Sequence, residues 1–495
     1  MPVVNVAGTT ARFAYPCKLG KWRKSREPVV RVGQSRCHLQ GELDLKSKSP
    51  IVFTDSLQDA RRTAGPASKP SFSPSSGFWA HFIKHHWNRE PLIIKNPFSP
   101  PITTTEEVFV ALRKVAAEFE IDGARVQCRL YRDEDGFLLK GAKLRRYFPA
   151  ATDRSISAYT KRIKAKLKGE RFGLILHEFQ THDAQFYLRT REFLSGLAAQ
   201  LPEHWTSLIG LFIGNYEQTP FGIHQDPANV FDFIVKGVKR IYIWPEDYFR
   251  DPFDKLLDSD FAVLRKDAMI LEGEAGDILC WPPNYWHVGE SIGNLSISAS
   301  LSLIPAQLSN RIVNAIKNCI EQALGPSLNG DAGFPRSTSE VEDSADMIAA
   351  TVRQATRLLK RTPQNFELIQ SLQATWLNRM TSSGSHLAPP PLPIEILKDD
   401  YVVRGIPELP ILWITTPDNQ ILCSANGHSF TLPAAPSVIR LLKELNSGAP
   451  LRVGEFVKKY TGVSGCDGIQ FNVSIDGIRF LLSKLYSLRA IEREI

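Results

Sequence analysis

The sequence predicts an α+β chain whose centre is a jelly-roll barrel, with flanking helices, a helical segment behind it and a small α/β module at the end. Three observations carry that prediction. Between Leu208 and Ile304, short runs rich in β-branched and aromatic residues (LIGLFIGNY, FDFIV, KRIYIW, DILCWP, LSISASLSLI) are separated by Gly, Pro, Asp or Asn. The last run alternates strictly, with Leu295, Ile297, Ala299, Leu301 and Leu303 on one face and Ser296, Ser298, Ser300 and Ser302 on the other. Segments with a helical apolar stripe precede and follow this region, and many short strands joined by turn signals fit a jelly roll.

Taken in order, residues 1–76 form an extension without a clear fold. They mix strand-like pieces (Pro28–Val32, Pro50–Phe53) with a Ser/Pro-rich stretch, Pro66 to Ser76, that reads as a linker. Phe78–Trp87 (FWAHFIKHHW) is an aromatic-rich amphipathic helix, followed by PLIIKNPF, a short strand ending at a turn. Thr104 supplies an N-cap, and an acidic first turn follows before the apolar stripe of VFVALRKVAAEF. Another helix is expected over Phe186–Ala199, ending before Pro202. Beyond Pro305 come three helical segments: QLSNRIVNAIKNCIEQAL, VEDSADMIAATVRQATRLLKR and a third running through Met380. The proline-rich stretch 386–395 closes them off. The last hundred residues place two helices (Ala435–Leu445, Ser474–Leu488) among strand-like pieces such as ILCSA and HSFTL, as in a winged helix. The expected division is 1–76, 77–305, 306–395 and 396–495.

A chain of 495 residues is too long for one ordinary domain, and its 43% hydrophobic and 23% charged residues suit a soluble globular protein. No apolar run is long enough to span a membrane, and the first residues lack the pattern of a secretory signal. The seven cysteines are scattered and contain no CxxC pair, which argues against a disulfide framework and a cysteine zinc site. A reducing cytoplasm is therefore expected. A formal charge of +8 favours acidic partners without defining a function. The clearest basic run, Lys161, Arg162, Lys164, Lys166, Lys168 and Arg171, reads as a solvated helix face rather than a polyanion-binding surface.

The chemistry centres on His224-Gln225-Asp226. On an extended chain residues i and i+2 project to the same side, so His224 and Asp226 can grip one metal ion together. His287, in GDILCWPPNYWHVGES, is the candidate third ligand. Two imidazoles and a carboxylate on one face of a metal leave positions open for substrate and dioxygen. An HxD triplet alone arises often by chance. Here a turn–strand–turn–strand unit delivers His287 to the mouth of a barrel, which raises the weight of the set. Lys239, fifteen residues after His224, can reach into the barrel to pair with a cosubstrate carboxylate. From spacing alone it reads equally well as a strand-end surface lysine.

The blocks HQDPANVFDFIVKGVKRIYIWP, GDILCWPPNYWHVGES and LSISASLSL resemble the JmjC-type (cupin) iron(II)- and 2-oxoglutarate-dependent oxygenases. Closest in pattern are factor-inhibiting-HIF-like asparaginyl hydroxylases and ribosomal protein hydroxylases. The resemblance covers about Phe78–Pro305 and implies a double-stranded β-helix. It implies His224, Asp226 and His287 as iron ligands and Lys239 as the partner of the far carboxylate of 2-oxoglutarate, with O2 as the second cosubstrate. Relatives often carry an Asn on the last barrel strand where this chain has Ser300. Some have Thr or Ser three residues before the first ligand, where this chain has Phe221. Thr219, Tyr216, Asn229 and Tyr242 are the candidates for the remaining cosubstrate hydrogen bonds.

The implied reaction is hydroxylation of an amino-acid side chain in a protein or peptide, either a ribosomal protein or a ribosomally made natural-product precursor. The order of helical segment and winged-helix-like module also resembles ribosomal-oxygenase-type proteins and implies a homodimer. Nucleic-acid binding by that module is not favoured, and no membrane partner is expected. Two other readings stand beside this one: a cupin metalloenzyme that does not use 2-oxoglutarate, since two His and a carboxylate also serve catalytic zinc, and a basic winged-helix binding protein whose barrel is only a scaffold.

Overall fold

The structure is a computed structural model that describes residues 50–53, 71–122, 127–132, 138–139, 141–201, 205–249, 258–305, 366–385, 387–466 and 469–494, with the single positions 313 and 356. The expected strand Pro28–Val32 lies outside the described residues. So do the two helices expected between Pro305 and Phe366, apart from the helical positions Val313 and Thr356.

The first part of the described chain mixes strands and helices. In order they are β1 (Ile51–Phe53), α1 (Ser76–His85), β2 (Leu92–Ile94), α2 (Thr105–Asp122), β3 (Cys128–Arg132), β4 (Leu138–Leu139), α3 (Ile156–Lys166), β5 (Phe172–His177) and α4 (Ala184–Gln200). A 3-10 turn, Gly141–Tyr147, precedes α3. Then come β6 (Trp205–Gly214), β7 (His224–Gln225), β8 (Asn229–Trp244), α5 (Asp258–Leu264), β9 (Met269–Glu274), β10 (Ile278–Trp281) and β11 (Trp286–Pro305).

Local chemistry sets the helix starts. Ser75 accepts from Phe78 N–H and begins α1 two residues earlier than its aromatic pattern predicts. The same helix stops before Trp87, and Asn88 turns the chain with φ 57°. Thr104 and Glu107 cap α2 reciprocally: Glu107 N–H donates to Thr104 Oγ1 at 3.2 Å and Thr104 N–H to Glu107 Oε2 at 3.0 Å. Asp183 caps α4 through Gln185 and Phe186 N–H.

Strands β1 to β11 form one sheet in the order β1-β2-β10-β8-β11-β6-β5-β3-β4, with β7 on β11 and β9 on β8. The expected pair FDFIV and KRIYIW is a single strand, β8, bent at Gly237 (φ 73°). Glycine is required there, because a Cβ would stand 2.2 Å from the Leu295 carbonyl oxygen. Strand β11 likewise joins WHVGES to LSISASLSL, with a register shift between Ile292 and Ile297. The upstream part of β8 pairs with β10 and the downstream part with β9, while β11 runs along both. The sheet therefore curls over itself in a jelly-roll-like way.

Alternation along these strands separates two apolar layers. Phe231, Phe233, Ile297, Ala299, Leu301 and Leu303 pack against Trp79, Phe82, Phe186 and Phe193 of α1 and α4. Val230, Ile234, Ile241, Ile243, Leu271 and Leu279 form a second cluster on the opposite face. Trp79 is fully buried, and its ring meets Phe82, Phe193 and Phe231 edge-on at 5.1 to 6.3 Å. Each such burial is worth about 1.5–3 kcal/mol, which is how α1 and α4 are held against the sheet.

Downstream of α6 (Phe366–Met380) lie β12 (Val402–Gly405), β13 (Leu412–Thr415), β14 (Gln420–Ala425), β15 (His428–Pro433), α7 (Pro436–Asn446) and β16 (Leu451–Arg452). They are followed by α8 (Val453–Tyr460), β17 (Gly462–Cys466), β18 (Ile469–Val473), α9 (Ile475–Ser487) and β19 (Ile491–Arg493). These elements share a separate core built on Leu441, Leu445, Phe456, Leu481 and Leu485. Among the described residues no helix is long and apolar enough to cross a membrane.

Candidate metal centre

Strand β7 is only two residues long, yet it pairs antiparallel with the start of β11 and sets His224 directly opposite His287. Asp226 follows two residues on, so all three side chains converge. Asp226 Oδ2 lies 3.7 Å from His224 Nε2 and 3.6 Å from His287 Nε2, and the imidazole centroids are 4.3 Å apart. One donor atom from each lies within 4.8 Å of the others, and no other such His/Cys/Asp/Glu group occurs among the described residues.

Both imidazoles are oriented the same way. His224 Nδ1 sits 2.9 Å from the Gly222 carbonyl and His287 Nδ1 3.0 Å from the Tyr285 carbonyl. A carbonyl only accepts, so Nδ1 carries the proton in each ring and the Nε2 lone pairs face the cage. Burial, with the neighbouring His224, holds the pKa of His287 down to about 3. Its imidazole is therefore neutral and free to ligate. Two imidazole nitrogens and a carboxylate oxygen fit a divalent transition metal such as iron(II) or zinc.

A second group lies further along the same ladder. Gly289 follows His287 by two residues on the same side of β11, about 7 Å away. A Cβ on Gly289 would stand 3.3 Å from both Lys239 Cε and Thr219 Cγ2, so Lys239 and Thr219 flank this gap. Lys239 is 2% exposed. Its ammonium donates to the Tyr216 hydroxyl and lies over the Phe212 and Tyr216 rings at 5.3 and 4.5 Å. The segment carrying Tyr216 and Thr219 is stitched to β11, with Thr219 N–H donating to the Gly289 carbonyl and Ser291 N–H to the Tyr216 carbonyl. Thr219 Oγ1 is buried with no hydrogen-bond partner among the described residues. The sequence alternative of a surface lysine does not describe this position.

The other candidates stand elsewhere. Ser300 lies opposite Asp232 and Gly210, in the other half of the bent β8–β11 ladder from the pair Lys239 and Ser291. The Asn229 side chain is engaged with Asn88, donating to its Oδ1 at 2.7 Å and accepting from its N–H. Tyr242 donates to Glu290 at 2.7 Å and belongs to a cluster with Trp244 and Val288, away from Lys239. Phe221 sets its ring edge-on 5.6 Å from His224.

Sequence reasoning passed over Gly289 and Asp232. Gly289 carried a signal, being the smallest residue two positions beyond the candidate ligand on an alternating strand. Asp232, 2% exposed, breaks the apolar run FDFIV. Burial pushes its carboxyl pKa up, against the opposing pull of Lys239.

No protein-family model matches the chain, and no curated protein does. Among solved structures the chain is similar to YcfD, a ribosomal oxygenase from Escherichia coli. The identity is 16% and the TM-score 0.43, over 86% of this chain and 100% of that one. Structures of that protein with cobalt and succinic acid and with cobalt and 2-oxoglutarate align with TM-scores of 0.42 and 0.41. Each is 16% identical, over 84% of this chain and 98% of the other.

Proposed function

We propose that the chain is an iron(II)- and 2-oxoglutarate-dependent oxygenase that hydroxylates an amino-acid side chain in a protein or peptide. One observation carries this reading: a cage of two Nε2 atoms and a carboxylate stands one inward step, through Gly289, from a buried lysine. Hydrolytic zinc chemistry has no need of that lysine, whereas a cosubstrate that chelates metal at one end and is anionic at the other needs both.

In this reading His224, Asp226 and His287 would hold the metal through two Nε2 atoms and a carboxylate oxygen. When bound, the metal and its cosubstrate supply the oxidising power for C–H hydroxylation as 2-oxoglutarate is converted to succinate and carbon dioxide. The chain's own residues bind and orient. Lys239 and Tyr216 grip the far carboxylate, and Thr219 offers its buried hydroxyl to the same group. Gly289 leaves the gap through which the carbon chain passes. Ile241 and Ile243, buried beside this route, keep water from the reacting atoms. The Gly222 and Tyr285 carbonyls hold both imidazole protons at Nδ1 throughout. Residues 306–395 and 396–495 we read as a dimerisation segment and a winged-helix-like module.

The test is anaerobic loading with iron(II) and 2-oxoglutarate while watching for the visible metal-to-ligand charge-transfer band. The band is expected in the wild type and lost in His224→Ala. Stoichiometric metal without a band refutes the cosubstrate and leaves a hydrolytic or isomerising centre.

A further inference from the structure

The formal charge of the chain is concentrated in one place. Residues 141–171 hold ten Lys and Arg against two Asp and Glu, a surplus of eight that equals the +8 of the whole sequence. The two acids are already engaged. Asp153 is 3% exposed and takes a two-pronged grip from Arg162 at 2.7 to 3.0 Å, and Glu170 pairs with Arg132 at 3.2 Å.

The fold makes one surface of two sequence segments. The 3-10 turn Gly141–Tyr147 packs against α3, with Lys166 Nζ donating to the Arg146 carbonyl at 3.2 Å and lying 5.5 Å from the Tyr147 ring centre. Tyr159 adds a bond from its hydroxyl to the Tyr147 carbonyl at 2.8 Å. Lys143, Arg145 and Arg146 on the turn and Lys161, Lys166 and Lys168 on and just beyond α3 are all exposed. Reading α3 alone as a solvated face misses the second segment, which lies about fifteen residues upstream in sequence.

We propose that this face binds the sugar–phosphate backbone of a nucleic acid. Single positive charges recur along α3 at turn spacing, Lys161 and Lys164 about 4.5 Å of axial rise apart, and Lys168 follows just beyond its end. A regular repeat of single negative charges complements that arrangement. The large exposed apolar side chains of the described chain all lie outside residues 141–171. That disfavours insertion into a lipid surface, which uses apolar anchors beside the charges. The face is continuous with the candidate site: Arg171 pairs with Glu217, and Phe172 is bonded both ways to Asn215, next to Tyr216. A polypeptide carried on nucleic acid would thus be held at the Tyr216 side of the candidate site. That corollary rests on the proposed oxygenase reading, whereas the binding itself does not.

The test uses the full chain without added metal. Fluorescence anisotropy is read with a labelled single-stranded RNA, a duplex DNA of equal length and a poly-glutamate of equal charge, across a salt series. Micromolar binding to at least one nucleic acid is expected, falling steeply as salt rises. The double variant Lys161→Glu/Lys168→Glu should bind at least about tenfold more weakly, with a log–log salt slope shallower by about one to two. Lys161→Gln/Lys168→Gln should show a smaller loss of the same kind. Thermal melts of both variants should match the wild type. A matched pair on the C-terminal module, Lys443→Glu/Lys458→Glu, should leave binding unchanged. The RNA and DNA arms separate the two backbone sources. Absence of binding, equal binding of poly-glutamate, or loss only in the C-terminal pair overturns the proposal. Since no metal is present, none of these outcomes bears on the charge-transfer test.

Discussion

Replacing Lys239 by methionine separates a cosubstrate lysine from a structural one. The thioether fills much of the same space, and only the charge and its hydrogen bonds go. In the free protein two effects oppose each other. The variant loses a bond from a charged donor to Tyr216, worth about 1.5–3 kcal/mol, and contacts over two aromatic rings, worth about 0.5–2 kcal/mol. It also escapes the desolvation of a 2% exposed ammonium, which costs several kcal/mol. Asp232, whose carboxyl pKa burial already raises, loses the pull of Lys239 that favours its charged form. The losses, about 2–5 kcal/mol together, and the relief of several kcal/mol are of the same size, so in the free protein they largely cancel. With the cosubstrate present nothing offsets the loss, because a buried carboxylate is left without its cation. That costs about 2–4 kcal/mol, or roughly 30- to 1000-fold in affinity. Anaerobic titration of the charge-transfer band gives the second number, and thermal denaturation without cosubstrate gives the first. A variant that binds 2-oxoglutarate within about threefold of wild type but melts far lower would refute the reasoning.

Three further outcomes follow from the same geometry. Iron(II) or manganese(II) at about a hundred times its dissociation constant should stabilise the wild type by about 2.7 kcal/mol, seen as a raised melting temperature, and leave His224→Ala unmoved. Gly289→Val should weaken 2-oxoglutarate binding at least about tenfold while metal affinity stays unchanged; its first added carbon already stands 3.3 Å from Lys239 and Thr219, so equal loss of metal would point to a collapsed strand instead. Glu178 is held up at about 7 by burial, although the Gln180 amide donates to it at 2.5 Å. A carboxyl raised in the fold penalises stability only where the unfolded chain has lost its proton, so the penalty starts near 4.5 and is complete above about 7. Glu178→Gln should therefore stabilise the protein more at pH 8 than at pH 5, by up to about 3 kcal/mol in chemical denaturation. An equal gain at both pH values would show that its charge does not matter.

The ligand set was open to sequence reasoning because it rests on the rigid i, i+2 geometry of extended chain and on a strand that carries its own turn signals. Strict Leu/Ile and Ser alternation fixed which side of β11 meets the helices. Strand continuity was not legible. Gly237 and Gly293 look like turn residues, and only the approach of the Leu295 carbonyl explains why the chain passes through Gly237 without ending the strand. Asn229 and Tyr242 are polar residues near the motif in sequence, but their partners Asn88 and Glu290 are distant in sequence and cannot be read from spacing. The basic face has the same character, since its halves are joined only by tertiary contact.

His224 and His287 face each other across a two-residue ladder. An ion caught between them would act on the chain as a cross-link does, closing a loop of about sixty residues and removing the conformations in which β7 drifts from β11. Both imidazoles belong to the half of the ladder that β8 shares with β9, so the ion would pin β7 to that half alone.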